Sequence, residues 1–306
     1  MSFAGEVKEE LARTMSSRRH CMIAEIAAIY GMCGKCVRRP DGKLELRLST
    51  ENVLLARKTF TLIKKTFKIS THIDIRRGSG FSKSRSYLIR TQTEADAEKI
   101  LSALKNLTQD KIADPMLIQN DCCRRAFLRG AFLSAGSMND PEKSYHFEIV
   151  CENKGRAQQL EEVIRSYEID AKTVERKGRD VVYVKEGTQI VDLLNIMGAY
   201  NALMKMENVR ILKDMRNQVN RQVNCETANL NKTVQAANKQ IEQINKLMAA
   251  GQFAKLPDSL REIAEARMEH PDASLKELGE MLNPPIGRSG VNHRLKKIGE
   301  IAEQLA

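Results

Sequence analysis

The sequence predicts an α+β fold: a tandem-duplicated α-β-α-β-β-α unit, then a helical connector, then a small all-α domain. Three observations carry that reading. A helical pattern rich in small residues occurs twice, 102 residues apart. The same succession of helix-period and strand-period segments follows each copy at matching offsets. Residues 256–306 show only helical spacings, punctuated by Gly and Pro.

The first helical copy runs from Ile26 to Gly34 and the second from Leu128 to Gly136. The 102-residue shift places Ala24 on Ala126, Ala28 on Gly130, Tyr30 on Phe132 and Gly34 on Gly136. Small residues four apart lie on one helical face and let two backbones approach closely. The terminal Gly is expected to stop each helix. After the first copy come an alternating stretch, Lys43 to Leu48, then Glu51-Asn52 and a helical run to about Phe67. After the second come Ser144 to Ile149, then Glu152-Asn153 and a helical run to about Tyr167. Two strand patterns close each half, Thr71 to Arg77 with Arg85 to Thr91, and Ala171 to Lys177 with Asp180 to Lys185. A helix ends each, near Glu94 to Leu107 and Thr188 to Met197. The predicted domains are 1–206 (repeats about 18–107 and 121–206), a connector 207–255 and a helical domain 256–306.

The duplicated part resembles a single-chain LAGLIDADG homing endonuclease, with the two small-residue helices as its motif helices. In that family the penultimate motif residue is an acid, and the two acids hold a divalent metal over the scissile phosphates. The matching positions here are Cys33 and Ala135, and neither copy has Asp or Glu within Ile26–Gly34 or Leu128–Gly136. A metal bridging phosphate oxygens needs hard anionic oxygen ligands, which a thiol and a methyl group do not supply. No catalytic residue, metal or cofactor is therefore expected. What the resemblance leaves is a saddle of β-hairpins over a duplex. Arg76, Arg77, Lys83 and Arg85 flank the first hairpin tip, and Arg176, Lys177 and Arg179 the second. They are auxiliary DNA contacts or solvated tips.

Composition sets the wider bounds. The chain has 306 residues, 42% hydrophobic and 29% charged, as in a globular protein. No stretch approaches the ~20 apolar residues of a membrane span. The segment Ser2–Val7 lacks a basic start followed by an apolar run, so a cytoplasmic location is expected. Phe3, Val7 and Leu11 instead form a helical stripe. Seven cysteines without framework spacing argue for reduced thiols. Cys33 and Cys36 form a CxxC, which is only half a zinc site. Cys122 and Cys123 lie ~20 Å along the helix from the second motif end, far from Cys33 if the helices run side by side. Buried or incidental thiols are the default reading. The net charge of +11 sits unevenly. Residues 1–206 carry 35 basic and 26 acidic side chains, 207–255 carry 8 and 4, and 256–306 carry 7 and 9. A concentrated basic surplus attracts phosphates.

In the connector, Leu230, Val234, Ala237, Ile241, Ile244 and Met248 recur at spacings of four and three, a narrow seam that predicts packing along another helix or its own domain. The Asn-rich block 220–229 is unusual for a spacer; its amides either meet nucleic acid or satisfy backbone at a junction. Gly251 and Pro257 mark a boundary.

Beyond it, Ser259 with Glu262 and Ser274 with Glu277 have capping-box spacing and predict two helix starts. The turn Asn283–Arg288 contains two prolines, and Ser289 is read as the cap of a longer third helix. On it Val291, Leu295 and Ile298 face the core, with Ser289, His293, Lys296 and Lys297 opposite and Asn292 and Arg294 on the flanks. No acid lies between Asn283 and Glu300. A helix-turn-helix recognition helix has this form. Asn292, His293 and Lys296 are then base readers, and Arg288, Arg294 and Lys297 phosphate contacts. A protein-interaction module is the competing reading.

Degenerate LAGLIDADG-like repeats, the Asn220-Arg221…Asn224-Cys225-Glu226…Asn229 block and the Leu275–Leu295 helix-turn-helix, in that order, resemble the WhiA family of Gram-positive bacterial regulators. The resemblance covers essentially the whole chain. It implies a nucleoid-associated transcriptional regulator of double-stranded DNA, tied to sporulation or to cell division and chromosome segregation, without nuclease activity. In such a regulator the basic saddle either adds affinity for DNA or contacts a partner protein in transcription regulation. The alternatives are an architectural nucleoid protein and a surviving endonuclease.

Overall fold

The 102-residue repeat is realised as two helices of equal length packed against each other. The computed structural model describes residues 2–77, 85–105 and 111–304, in two units, Met1–Lys213 and Asp214–Ala306. The first unit opens with α1 (Phe3–Arg13), capped by the Ser2 hydroxyl and burying the stripe Phe3, Val7 and Leu11. The first repeat follows as α2 (Arg19–Cys33), β1 (Gly34–Arg38), β2 (Leu44–Thr50), α3 (Val53–Phe67), β3 (Thr71–Arg77), β4 (Arg85–Thr91) and α4 (Glu94–Ala103). The second is α5 (Asp121–Ala135), β5 (Gly136–Met138), β6 (Phe147–Cys151), α6 (Lys154–Arg165), β7 (Lys172–Arg176), β8 (Arg179–Val184) and α7 (Gly187–Met197). Each repeat forms an antiparallel sheet, in the orders β1-β2-β4-β3 and β5-β6-β8-β7.

Each repeat carries one strand more than the sequence pattern shows. β1 and β5 start at the residue after the motif helix, and both are short and largely polar, so no period announces them. The terminal glycines also act differently from expectation. Gly34 (φ −89°, ψ 154°) and Gly136 (φ −79°, ψ 151°) are extended, so neither is a left-handed helix stop. A Cβ on Gly34 would lie 2.3 Å from the Tyr30 ring, and one on Gly136 2.2 Å from the Phe132 ring. These glycines are bare because an aromatic four residues earlier folds across the helix-to-strand corner. Phe132 then stacks on Phe147, centroids 5.1 Å apart, joining α5 to β6.

The small-residue face does what its spacing predicts. A Cβ on Gly130 would stand 2.6 Å from the Glu25 carbonyl oxygen and 3.0 Å from the Ala28 Cβ, so α2 and α5 meet backbone to backbone. Around this seam a continuous apolar core takes in both sheets' inner faces, including Leu46, Leu48, Ile89, Phe147, Ile149 and Val182. Asn52, Thr93 and Asn153 cap α3, α4 and α6 through their side chains.

The connector is part of one helix, α8 (Tyr200–Ala249). Its first turns bury Ala202 and Met206 in the first unit's core. In the second unit only part of the expected seam is covered. Ala237 and Ile244 are buried together with Leu247, Ile241 is half-buried, and Leu230, Val234 and Met248 are exposed. Ile244 and Leu247 pack into a core with α9 (Asp258–Glu269), α10 (Leu275–Met281) and α11 (Arg288–Glu303). The connector's end thus supplies the fourth wall of the helix-turn-helix unit. Ser274 and Glu277 form the expected capping box, with bonds of 3.3 and 2.7 Å. Ser259 does not cap, because α9 already starts at Asp258 with Pro257 in the N-cap position. Ser289 does not cap either, since Gly287 is the N-cap of α11 and offers no side-chain acceptor. No helix among the described residues is long and apolar enough to cross a membrane.

Candidate nucleic-acid interface

At the ends of the motif helices the structure shows what stands where a nuclease keeps its carboxylates. Cys33 and Ala135 are the last residues of α2 and α5. The Cys33 thiol donates to the Ile29 carbonyl at 3.2 Å, and burial pushes its pKa up to about 12, so it stays a neutral thiol. One acid does approach from outside the motif: Glu152, just after β6, lies within electrostatic range of Cys33. Its carboxylate is held by Arg156 at 3.3 Å, with Lys111 beside them. The fixed cations Arg156 and Lys111 beside Glu152 oppose a further, mobile cation there.

Further along the seam, Glu25 is fully buried and faces two cations. Arg129 on α5 donates from Nε and Nη2 to its two oxygens at 3.1 and 3.2 Å, and Lys58 on α3 lies 2.6 Å from Oε1. Arg129 also donates to the Met197 carbonyl, and Lys58 to the carbonyls of Leu11 and Thr14. Every polar partner is an internal one, so this network holds the repeats together and is not a surface for a ligand.

The outer face of the first sheet carries a row of basic side chains. The strand registers align Lys35, Arg47, Arg90 and His72 in one row straight across the first sheet. Asp74 pairs with Arg90 at 2.9 Å and with His72 at 3.3 Å, and the buried Glu45 is clasped by Arg39 and Arg47. Sequence reasoning looked at hairpin tips and missed this row, although the every-second-residue spacing of Glu45, Arg47 and Ser49 was its signal. At the first tip Arg76 and Arg85 are exposed; of Arg77 the backbone pairing with Arg85 is described, and Lys83 lies outside the described residues. At the second, Lys177 (φ 50°) and Gly178 (φ 71°) make a two-residue turn of the primed kind, leaving Arg176, Lys177 and Arg179 exposed. Arg176 reaches Glu148 at 3.6 Å.

In the second unit α10 and α11 are joined by the turn 282–287. The turn rests directly on α10: the Ile286 N–H donates to the Gly279 carbonyl at 3.0 Å, and a Cβ on Gly279 would meet the Ile286 oxygen at 2.1 Å. Val291, Leu295, Ile298 and Ala302 fix α11 to the core. Arg288, Ser289, Asn292, His293, Lys296 and Lys297 are exposed, and they fall into two groups. Ser289, His293, Lys296 and Lys297 point away from the core. Arg288 and Asn292 border a groove of about 550 Å3 shared with Lys232 and Gln240 of α8 and Lys276 of α10, whose lining contains no acid. Arg294 is half-buried and donates to the Ser259 carbonyl at 3.2 Å, so it ties α11 to the start of α9. That internal bond sets it apart from the freely exposed bases read as phosphate contacts. Buried Arg267 donates to the carbonyls of Pro271 and Ala273, fixing the loop that enters α10. Lys232 and Lys276 were not singled out from the sequence, because their neighbourhood arises only when α8 packs beside α10.

A duplicated LAGLIDADG-like unit whose helix ends lack paired acids, with a helix-turn-helix unit after it, defines the class of protein. Family models match three consecutive stretches: the WhiA N-terminal LAGLIDADG-like domain over 19–107, the WhiA LAGLIDADG-like domain over 124–216 and the WhiA C-terminal HTH domain over 219–302. A probable cell division protein WhiA of Lachnoclostridium phytofermentans is 54% identical, over 100% of this chain and 99% of its own. Another, of Alkaliphilus oremlandii, is 50% identical, over 100% and 98%. The chain belongs to the WhiA family. The crystal structure of full-length DUF199/WhiA from Thermatoga maritima shares the fold, with a TM-score of 0.62 at 24% identity over 99% of each chain.

Proposed function

We propose that the chain is a sequence-specific DNA-binding transcriptional regulator without nuclease activity, acting in the cytoplasm on the nucleoid. The observation that carries this is the outward face of the first three turns of α11. Ser289, His293, Lys296 and Lys297 are presented to solvent from a helix N-terminus with no acid in its first turn. Side-chain donors there suit base edges, and the first-turn N–H groups suit phosphate oxygens. The acid-free groove with Lys232, Lys276 and Arg288 supports phosphate contact alongside. The names of the relatives, probable cell division protein WhiA, support a role in cell division; the link to sporulation and chromosome segregation rests on family resemblance. The thiol and methyl at positions 33 and 135 support the absence of cleavage.

The test is a genome-wide footprint of the intact chain beside a full-length variant carrying His293→Ala and Lys296→Ala. Discrete peaks that vanish in the variant support the reading. Peaks that persist place readout elsewhere, and equal affinity for peak and random duplexes at matched salt favours an architectural role. Nicking of supercoiled plasmid in Mg2+ by the purified protein would overturn the non-nuclease part.

A further inference from the structure

We propose that His20, Cys21, Cys122 and Cys123 bind one tetrahedral zinc ion at the N-terminal ends of the two motif helices. One ligand atom from each of the four residues lies within 4.8 Å of all the others. The His20 Nδ1 stands 3.0 Å from the Cys123 Sγ and 3.5 Å from the Cys21 Sγ. Zinc bonds of ~2.3 Å to sulfur and ~2.0 Å to nitrogen place tetrahedral donors about 3.4–3.8 Å apart, so small side-chain rotations suffice. An iron–sulfur cube inserts iron and sulfide between its thiolates and spreads them wider than this set. Three sulfurs and an imidazole, with no carboxylate, also select a soft or borderline ion over Mg2+ or Ca2+.

The site follows from the duplication. The 102-residue shift carries His20 onto Cys122 and Cys21 onto Cys123, so each repeat contributes an equivalent adjacent pair. These occupy the second and third positions of α2 and α5, where the helix dipole favours thiolate. Cys21 and Cys123 pack with Ala24 and Ala126 in an apolar cluster separate from the main core, while His20 is exposed and leaves an entry path. Arg18 points Nη1 at the Cys122 Sγ from 3.9 Å, a countercharge for a site of net −1. Binding Zn2+ makes three Zn–S bonds and one Zn–N bond and releases the three thiol protons to solvent, with no change of oxidation state. The ion would pin the repeats at the end of the seam opposite Cys33, ~20 Å away.

The test uses the full chain, stripped of metal under anaerobic reducing conditions and titrated with Co2+. Saturation at one equivalent, with the visible bands of tetrahedral cobalt–thiolate and their loss on adding one equivalent of Zn2+, is expected. Cys21→Ser and Cys123→Ser should weaken binding by more than the roughly 10–100-fold that a lost outer contact costs, whereas Cys33→Ser and Cys36→Ser should leave it unchanged. Should either serine variant misfold, exposed His20→Ala is expected to keep the fold and shift the cobalt bands. Three results would overturn the proposal: no tetrahedral bands with all thiols reduced, bands retained in the Cys21→Ser/Cys123→Ser double variant, or an ion-free Cys21–Cys123 disulfide in protein freshly isolated without oxidant.

Discussion

Glu25 and Arg129 form a bidentate ion pair inside the seam between the two repeats, with contacts of 3.1 and 3.2 Å. Under the 102-residue shift Glu25 matches Phe127 and Arg129 matches Ala27, so neither repeat can make this pair with a second copy of itself. It makes the association heterologous, and it depends on both partners being present. Glu25→Ala leaves Arg129 and Lys58 buried without a counter-anion and is expected to cost about 3–5 kcal/mol in denaturant unfolding. A Glu25→Leu/Lys58→Met/Arg129→Met triple variant, which removes both buried cations with their anion, should recover most of that loss. A triple variant as unstable as the single one would show that charge pairing is not what the site requires.

Lys58 gives the same network a pH signature. Burial first, and then the Arg129 charge, lower its pKa from 10.5 to about 8 against the pull of Glu25. Between those two values the unfolded chain holds the proton and the folded chain does not. Unfolding therefore takes up a proton there, and the Lys58 contribution to stability rises with pH, while below about pH 8 it is flat. The full window is worth at most roughly 3 kcal/mol. Buried thiols and Tyr30, whose pKa values are raised, act in the opposite direction at high pH. The observable is thus the stability difference between the parent chain and Lys58→Met, which should grow from about pH 7.5 to about pH 10.

Much of this architecture is legible without coordinates because duplication doubles every weak signal. The strands Thr71–Arg77 and Arg85–Thr91 were expected at the bounds they have, since alternation and flanking turns agree in both copies. β1 and β5 were missed because a short edge strand with polar residues has no period of its own. The capping boxes show the converse: Ser274 reads and folds as a cap, while Ser259 has the same spacing but follows Pro257, which takes the N-cap position. Of the candidate site, the exposed face of α11 follows from helical spacing alone. The basic row on the first sheet, the groove beside Lys232 and the quartet at His20 depend on register and packing between elements far apart in sequence.

Gly279 tests how tightly the turn before α11 is held. A Cβ there collides with the Ile286 backbone oxygen, which cannot swing aside as a side chain would. Gly279→Ala is expected to destabilise the second unit by about 1–3 kcal/mol or more through overpacking, despite the better helix propensity of Ala. Gly42 is a contrasting control in the first unit. It has open space around it, so Gly42→Ala meets only the strain of its positive φ. Thermal unfolding followed by circular dichroism should show a low-temperature transition for Gly279→Ala that Gly42→Ala lacks.

Arg294 and Lys296 are two residues apart on α11 and are expected to fail in different assays. Lys296 is exposed, and its ion pair with Glu300 at 4.0 Å is a weak surface pair. Its loss should therefore leave folding within about 0.5 kcal/mol of the parent while costing about 1–3 kcal/mol of affinity at a base contact. Arg294 donates to the Ser259 carbonyl and anchors α11 on α9, so Arg294→Ala is expected to lower stability by about 0.5–1.5 kcal/mol. Because the alanine variant keeps α11 on its apolar core, the ranking of duplexes should stay as in the parent. Fluorescence anisotropy with footprint-derived and scrambled duplexes, beside denaturant unfolding of both variants, separates the two roles. If Arg294→Ala changes which duplex is preferred while unfolding is unchanged, Arg294 belongs to the reading face, and the division of α11 into outward and anchoring residues fails.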